Sequence, residues 1–417
     1  MFSWLYYALV LVTGIAACPY NPTRPLNIRY DNLTCPMPID DLSQKESTPW
    51  SYTPNCLRPV TKDSSSSEDI SRPTYCLYSS TTFPSNHGVS IITTPESASN
   101  LLSYGSLTNQ SVEHTMKTST YKIVEIPGKG KGMVATRKIK KGEIFLVDYP
   151  SVLIGVPFLQ DVQAHHRRRL VKKGIERLSG EMRQAVHALA RKGGNYLLDD
   201  IFAVNAVSVP LGEEEGDQAM GLFGEFSRIN HDCRPNALYR FSPKTLAMEV
   251  FSYRTILPGE EITVSYTPIT LTKSQRQEYI LQNFQFQCTC SLCLAEDCSD
   301  SDHLRQRVGE LQSTLRQAME NEYFENALVI AHEWLEMAEK EGIPPLMPEW
   351  YDVVARLSYD VGDLAGARRY AQLALNGWTK FGSSDDSELE AARDFVREVM
   401  RLPRDTKLKR KGVPNIF

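Results

Sequence analysis

Three short stretches of this chain hold the residues best suited to chemistry. The first is CTCSLC (288–293), which sets three thiols in a Cys-x-Cys-x-x-Cys spacing. Thiolates so spaced converge on one tetrahedral ion, and a structural zinc site takes four ligands. Cys233, in the second stretch RINHDCRPNA (228–237), is the natural fourth, with Cys298 as a reserve ligand or a free thiol. A redox pair is the competing reading of CSLC, but a crowding third cysteine and the missing βαβ pattern speak against it. Beside Cys233, Asn230 and His231 form an unusual polar cluster between apolar runs. An amide that both donates and accepts suits a polar, zwitterionic ligand. The third stretch, LPGEEITVSYT (257–267), reads as a Pro-Gly turn and an alternating, half-buried strand ending at Tyr266. Alone, a lone histidine or a strand-end tyrosine is structural more often than functional.

These side chains must be held by a small, turn-rich framework. In GKGKGMVATRKIKKGE (128–143), glycines 128, 130 and 132 allow close approach of backbone to a ligand, although alone the segment is an ordinary hairpin. It lacks the strand-to-helix setting of a nucleotide-binding glycine loop. Short β-branched runs, YKIVEI, GMVATRKI, EIFLVDYPSVLI and later LAMEVFSYRTI, predict strands, and residues 161–200 predict helices between them. From about His303 to Met400 the pattern is amphipathic helix throughout. There NEYFENALVIAHEWLEMA (321–338) and GDLAGARRYAQLAL (362–375) repeat small residues at Ala327 and Ala331, and at Ala367 and Ala371. Small residues at those sites let antiparallel helices approach as tetratricopeptide pairs do. Two copies are too few to stand alone, so they should lean on the preceding domain.

Taken in order, these segments resemble the SET-domain lysine methyltransferases, most of all the SET-and-MYND subfamily and its fungal relatives without the MYND finger. NHDC-RPN is similar to that family's NHxCxPN signature, GEEITVSY to its GEE(I/L)xxxY strand, and RQEYILQNFQFQCTCSLC to its linker and post-SET zinc motif. The resemblance covers roughly residues 120–400. It implies an α+β fold: a β-clip SET domain of short sheets with a helical insert (119–283), a post-SET zinc motif (284–300) and a helical, tetratricopeptide-like domain (301–402). It also implies S-adenosyl-L-methionine as methyl donor, Zn(2+) as structural metal, and a lysine in a protein or peptide as acceptor. Position by position, backbone around Lys129, Gly130 and Met133 lines the cofactor pocket, with Asn205 near it. Asn230 binds the cofactor through its side chain and His231 mostly through its backbone. The resemblance further implies Tyr266 as the catalytic tyrosine, Phe286 stacked on adenine, Phe284 as a wall of the lysine channel, and Cys233, Cys288, Cys290 and Cys293 as the metal ligands. Residues 151–200 contain no cysteine, so partner binding through a MYND finger is not expected. The alternative from another class is a non-catalytic SET scaffold that presents its helical surface to partners.

The rest of the chain bounds the setting. With 417 residues, two or three domains are expected, and a net charge of -4 supplies no basic field for direct nucleic-acid binding. The chain is expected to act as a monomer. Residues 1–17 have the apolar run and small-residue end of a signal peptide, although without a basic start. Sequons at Asn32 and Asn109 and four cysteines (18, 35, 56 and 76) fit the same route. That points to the secretory pathway with no membrane span in the mature chain, whereas the family resemblance implies cytoplasm or nucleus. A misassigned start or a weak anchor are the other readings of this end. Residues 18–118, rich in Pro, Ser and Thr, are expected to be largely disordered. The basic stretch HHRRRLVKK (165–173) is expected to be a solvated helix face and the tail 403–417 a solvated end.

Overall fold

The computed structural model describes residues 28–34, 49–61, 73–84, 86–107, 120–194, 196–212, 217–342, 347–381 and 387–403. The expected signal segment, Cys18, Cys35, the Asn109 sequon and most of the basic tail lie outside them.

The first strands are β1 (Ile28–Thr34), β2 (Asn55–Thr61), β3 (Tyr75–Ser80) and β4 (Val89–Thr93), followed by helix α1 (Pro95–Ser103). Next come β5 (Tyr121–Ile126), β6 (Gly130–Ala135), β7 (Ile144–Asp148) and β8 (Pro150–Gly155). Helices α2 (Val156–Asp161), α3 (Ala164–Glu176), α4 (Gly180–His187) and α5 (Leu197–Asn205) form the helical insert. The strands resume with β9 (Val207–Pro210), β10 (Gln218–Phe223), β11 (Asn230–His231), β12 (Ala237–Ser242), β13 (Ala247–Ser252) and β14 (Glu261–Val264). They form three sheets, in the orders β1-β2-β3-β4-β8-β10-β9, β11-β14-β6-β5 and β12-β13-β7.

One expectation fails. Much of the 18–118 segment is ordered, because β2, β3 and β4 extend the largest sheet, and β4 runs parallel to β8 with Ile91 opposite Leu153. Every residue of β3 and β4 is buried. Their polar members are satisfied internally: Ser90 Oγ donates to Gly174 O at 2.8 Å and lies 3.0 Å from Ser79 Oγ. Gly174 on α3 makes this closeness possible, since a Cβ there would stand 3.1 Å from Ser90 Cβ. Arg177 ties the insert to the same strands by donating to Asn55 Oδ1 at 2.5 Å. A disulfide joins Cys56 and Cys76, which sit opposite one another in the β2–β3 register.

The run EIFLVDYPSVLI, expected as one strand signal, divides at Tyr149 between two sheets, β7 pairing with β13 and β8 with β10. After β14 the chain turns helical: α6 (Lys273–Phe284), α7 (Ser291–Leu294), α8 (Ser299–Glu320), α9 (Phe324–Glu341), α10 (Met347–Asp360), α11 (Leu364–Phe381) and α12 (Ser387–Arg401). Successive helices from α8 to α12 pack on one another around a core that includes Trp334 stacked on Trp350 at 3.7 Å. Ala327, Ala331, Ala367 and Ala371 are all buried. Among the described residues no helix is long and apolar enough to cross a membrane.

A buried carboxylate helps to fasten the helices to the SET-like half. Glu341 accepts from Ser301 Oγ at 2.6 Å, Arg305 Nε at 2.8 Å and Arg234 Nη2 at 3.1 Å. Arg305 also donates to Cys233 O at 2.8 Å and Ile269 O at 3.1 Å, so α8 and α9 are fastened directly to the cysteine loop.

Candidate active site and metal centre

Two short strands organise the site. β11 is only Asn230 and His231, and it pairs parallel to β14 with Asn230 opposite Thr263 and His231 opposite Val264. That register brings Tyr266, two residues past the end of β14, beside β11. Its backbone N–H donates to His231 Nδ1 at 2.9 Å, and its hydroxyl donates to Ile229 O at 2.6 Å. Asn236, from the same loop as Cys233, locks the arrangement by donating to Glu261 O and accepting from Thr263 N–H.

His231 is the hinge between two sets of residues. Burial first, then the nearby charges of Arg276, Lys129 and Arg305, push its pKa down to about 4 against the pull of Cys290, so the ring is neutral at pH 7. Because Nδ1 accepts from Tyr266, the ring proton belongs on Nε2, which lies 3.3 Å from Cys233 Sγ. On the other side, the rings of Tyr266, Phe284 and Phe286 follow one another at 4.9 and 6.4 Å. Burial raises the Tyr266 phenol above its ordinary range and Glu261 adds to this, so it is a neutral donor. Tyr239, half-buried like Tyr266, has the Tyr266 and Tyr279 hydroxyls as electrostatic neighbours.

Glu261 joins the glycine hairpin to β11, accepting from Asn230 Nδ2 at 3.0 Å and from Lys129 Nζ at 2.7 Å. Gly130 has φ +69° at the hairpin turn, and Met133 is fully buried opposite Ile262. Gly132 keeps the space open: a Cβ there would fall 2.6 Å from Asn230 Nδ2. Asn205 faces protein instead, its amide nitrogen donating to Ala190 O at 2.9 Å and Ile201 O at 2.7 Å.

The four sulfurs of Cys233, Cys288, Cys290 and Cys293 lie within 4.8 Å of one another, and all four residues are buried. Cys298 is only half-buried and its Sγ faces Asp302. Helix α6 clamps the cluster from one side, where Gln277 exchanges two hydrogen bonds with the Cys288 backbone at 2.8 and 3.0 Å. Hydrogen bonds from Cys233, Cys288 and Cys293 favour the thiolate at Cys290. Four convergent, buried thiols are the donor set a closed tetrahedral zinc site requires.

A model of the SET domain family matches residues 130–267, the span that runs from the hairpin through Tyr266. The chain carries a SET domain. Among its relatives is histone-lysine N-methyltransferase set5 of Schizosaccharomyces pombe, 28% identical over 43% of this chain and 52% of that protein. A SET and MYND domain-containing protein of Dictyostelium discoideum is 40% identical over 19% of this chain and 22% of its own. Protein-lysine N-trimethyltransferase SMYD5 of Mus musculus is 33% identical over 22% of each. The chain therefore spans about half the length of the first of these relatives and about a fifth of the other two.

Beyond the residues assigned a role from the sequence, the structure adds Glu261, Asn236, Tyr239 and Arg276 to the site. Glu261 stands inside GEEITVSY and was legible as a motif residue, but its partners were not. Arg276 opens the quoted stretch RQEYILQNFQFQCTCSLC, but nothing in the sequence marks it as buried, since an arginine in an amphipathic helix reads as solvated.

Proposed function

We propose that this protein transfers a methyl group from S-adenosyl-L-methionine to the ε-amine of lysine in a protein substrate. The observation that carries this reading is the docking of Tyr266 on the Asn230-His231 strand, with the aromatic wall of Phe284 and Phe286 beside it, inside a SET domain. The relatives named as histone-lysine and protein-lysine methyltransferases support the same reaction.

S-adenosylmethionine supplies, when bound, a methyl group already activated by its positive sulfonium. The task left to the chain is to align and to exclude water. Asn230, already held by Glu261 opposite Lys129, offers an amide to the polar end of the cofactor, and Phe286 offers its face to the adenine. A free lysine has a pKa of about 10.4 and must reach the methyl as a neutral amine. A narrow aromatic channel walled by Phe284 and Tyr266 opposes the charged form by desolvation. The Tyr266 proton is engaged by Ile229 O, which leaves the phenol oxygen free to accept from the amine and orient its lone pair.

The quartet of cysteines is read as a zinc site that performs no chemistry, because four thiolates leave no open coordination position. It would clip residues 284–293 against the Asn230–Cys233 loop and so hold Phe284 and Phe286 over the pocket. The helical region is read as tetratricopeptide-like support and the protein as a monomer. The test is radiolabelled methyl transfer from S-adenosylmethionine to a protein mixture. Wild type should label, and Tyr266→Phe and Asn230→Ala should each label at least about a hundredfold less. Equal labelling by all three would remove both residues from the active site.

A further inference from the structure

Arg276 on α6 is fully buried. Its Nη1 donates to Leu271 O at 2.6 Å and lies 3.6 Å from Asp302 Oδ1. Its Nε and Nη2, however, meet no oxygen or nitrogen acceptor among the described residues. A guanidinium stays charged in a protein, and burying an ion without compensation costs several kcal/mol. The fold can keep this cation inside only if negative charge stands near it. Besides Asp302, its electrostatic neighbours are Cys233 and Cys293. The helix supports the placement: Ile280, one turn on along the same face, belongs to the apolar shell around the four cysteines, and the adjacent Gln277 holds the Cys288 backbone. Arg305, the other buried guanidinium near this loop, is committed to Glu341.

Four thiolates around a divalent ion carry about two surplus negative charges. In a buried site that surplus is itself expensive. We propose that Arg276 is the counter-charge of the metal centre, and that its cation lowers the cost of gathering four thiolates and slows loss of the ion. This inference rests on reading Cys233, Cys288, Cys290 and Cys293 as a metal site. It has a two-sided consequence. With metal bound, arginine and thiolates stabilise one another. Without the ion, the arginine keeps Asp302 at 3.6 Å but loses the gathered thiolates as partners, and its burial then destabilises the fold. Replacing Arg276 should therefore weaken metal retention and also narrow the stability gap between loaded and stripped protein.

The experiment uses full-length protein loaded with Zn(2+), as wild type, Arg276→Gln and Arg276→Lys. It reads zinc release to a chromophoric chelator and Tm with and without zinc. Arg276→Gln should release zinc at least about tenfold faster, with a smaller Tm gap, while Arg276→Lys stays within about threefold of wild type. Wild-type release and an unchanged gap in Arg276→Gln would overturn the proposal. So would Arg276→Lys releasing as fast as Arg276→Gln, since shape and not charge would then matter. If Arg276→Gln does not fold, Arg276→Lys decides alone: release within threefold supports the proposal, and faster release overturns it. Wild type that takes up no zinc would end the metal reading itself, a different result from equal release by all three.

Discussion

Two sets of buried cysteines in this chain meet opposite fates. Cys56 and Cys76 face each other across β2 and β3 and are joined, while Cys233, Cys288, Cys290 and Cys293 remain thiols gathered around a point. Burial does not separate them, since all six are nearly inaccessible. Backbone geometry does. Antiparallel strands present one opposed pair of Cβ atoms at a fixed spacing, which suits a single bond between two sulfurs. The 285–290 segment with the short helix α7, and the turn that follows β11, instead bring four sulfurs together from different directions. The surroundings differ too: the pair sits in an apolar core with Trp50, Tyr78 and Val89, whereas the quartet has Arg276 and the His231 Nε2 beside it. One region is cross-linked, and the other has the buried, convergent thiols that could hold an ion.

The strongest way to break that contrast is to strip the ion. A tight chelator should lower Tm by more than about 10 °C and abolish cofactor binding, because metal affinity at such sites is folding free energy. Unchanged Tm and cofactor binding after chelation would make the quartet ordinary buried cysteine. Next in size is Glu341→Gln, which unpairs Arg305 inside the contact between helices and loop. We expect it to cost about 3–5 kcal/mol in denaturant unfolding. A cost below about 1 kcal/mol would mean that the helices and the cysteine loop are not coupled.

Reducing the Cys56–Cys76 bond closes the series on the other region. With a phosphine reductant, stability should fall by about 2–4 kcal/mol and zinc content should not change. Zinc loss on reduction would show that the two cysteine sets are not independent. Smallest is Gly174→Ala, where a helix gain of about 1 kcal/mol opposes the tight approach of the new Cβ to Ser90. Net destabilisation of about 1 kcal/mol would locate the grip of the insert on the N-terminal strands, and clear stabilisation would refute it.

How much of this was readable beforehand follows the same division. The quartet was visible because cysteine spacing is itself the signal, and Asn230, His231 and Tyr266 were visible as motif residues. Their meeting was not, since it depends on a parallel pairing of β11 with β14 across more than thirty residues. Strands β3 and β4 escaped notice because they are buried on both faces and show no alternation, and because the composition around them is that of a disordered tail. The turn at Tyr149 hid inside one apolar run. The burial of Arg276, although it opens a quoted motif, and of Glu341 was unreadable for a common reason: a charged residue in a helix announces solvent, and only tertiary structure shows which are turned inward.

Because Arg305 reaches from α8 to the carbonyl of Cys233, the SET domain and the helical half are joined behind the cysteine loop. A fragment ending near residue 300 would keep every signature residue yet lose the strut behind its metal loop. On the proposed function, sequence change in a helix far from the pocket can then register as a fault in activity, and a truncated chain that fails would say little about the residues it retained.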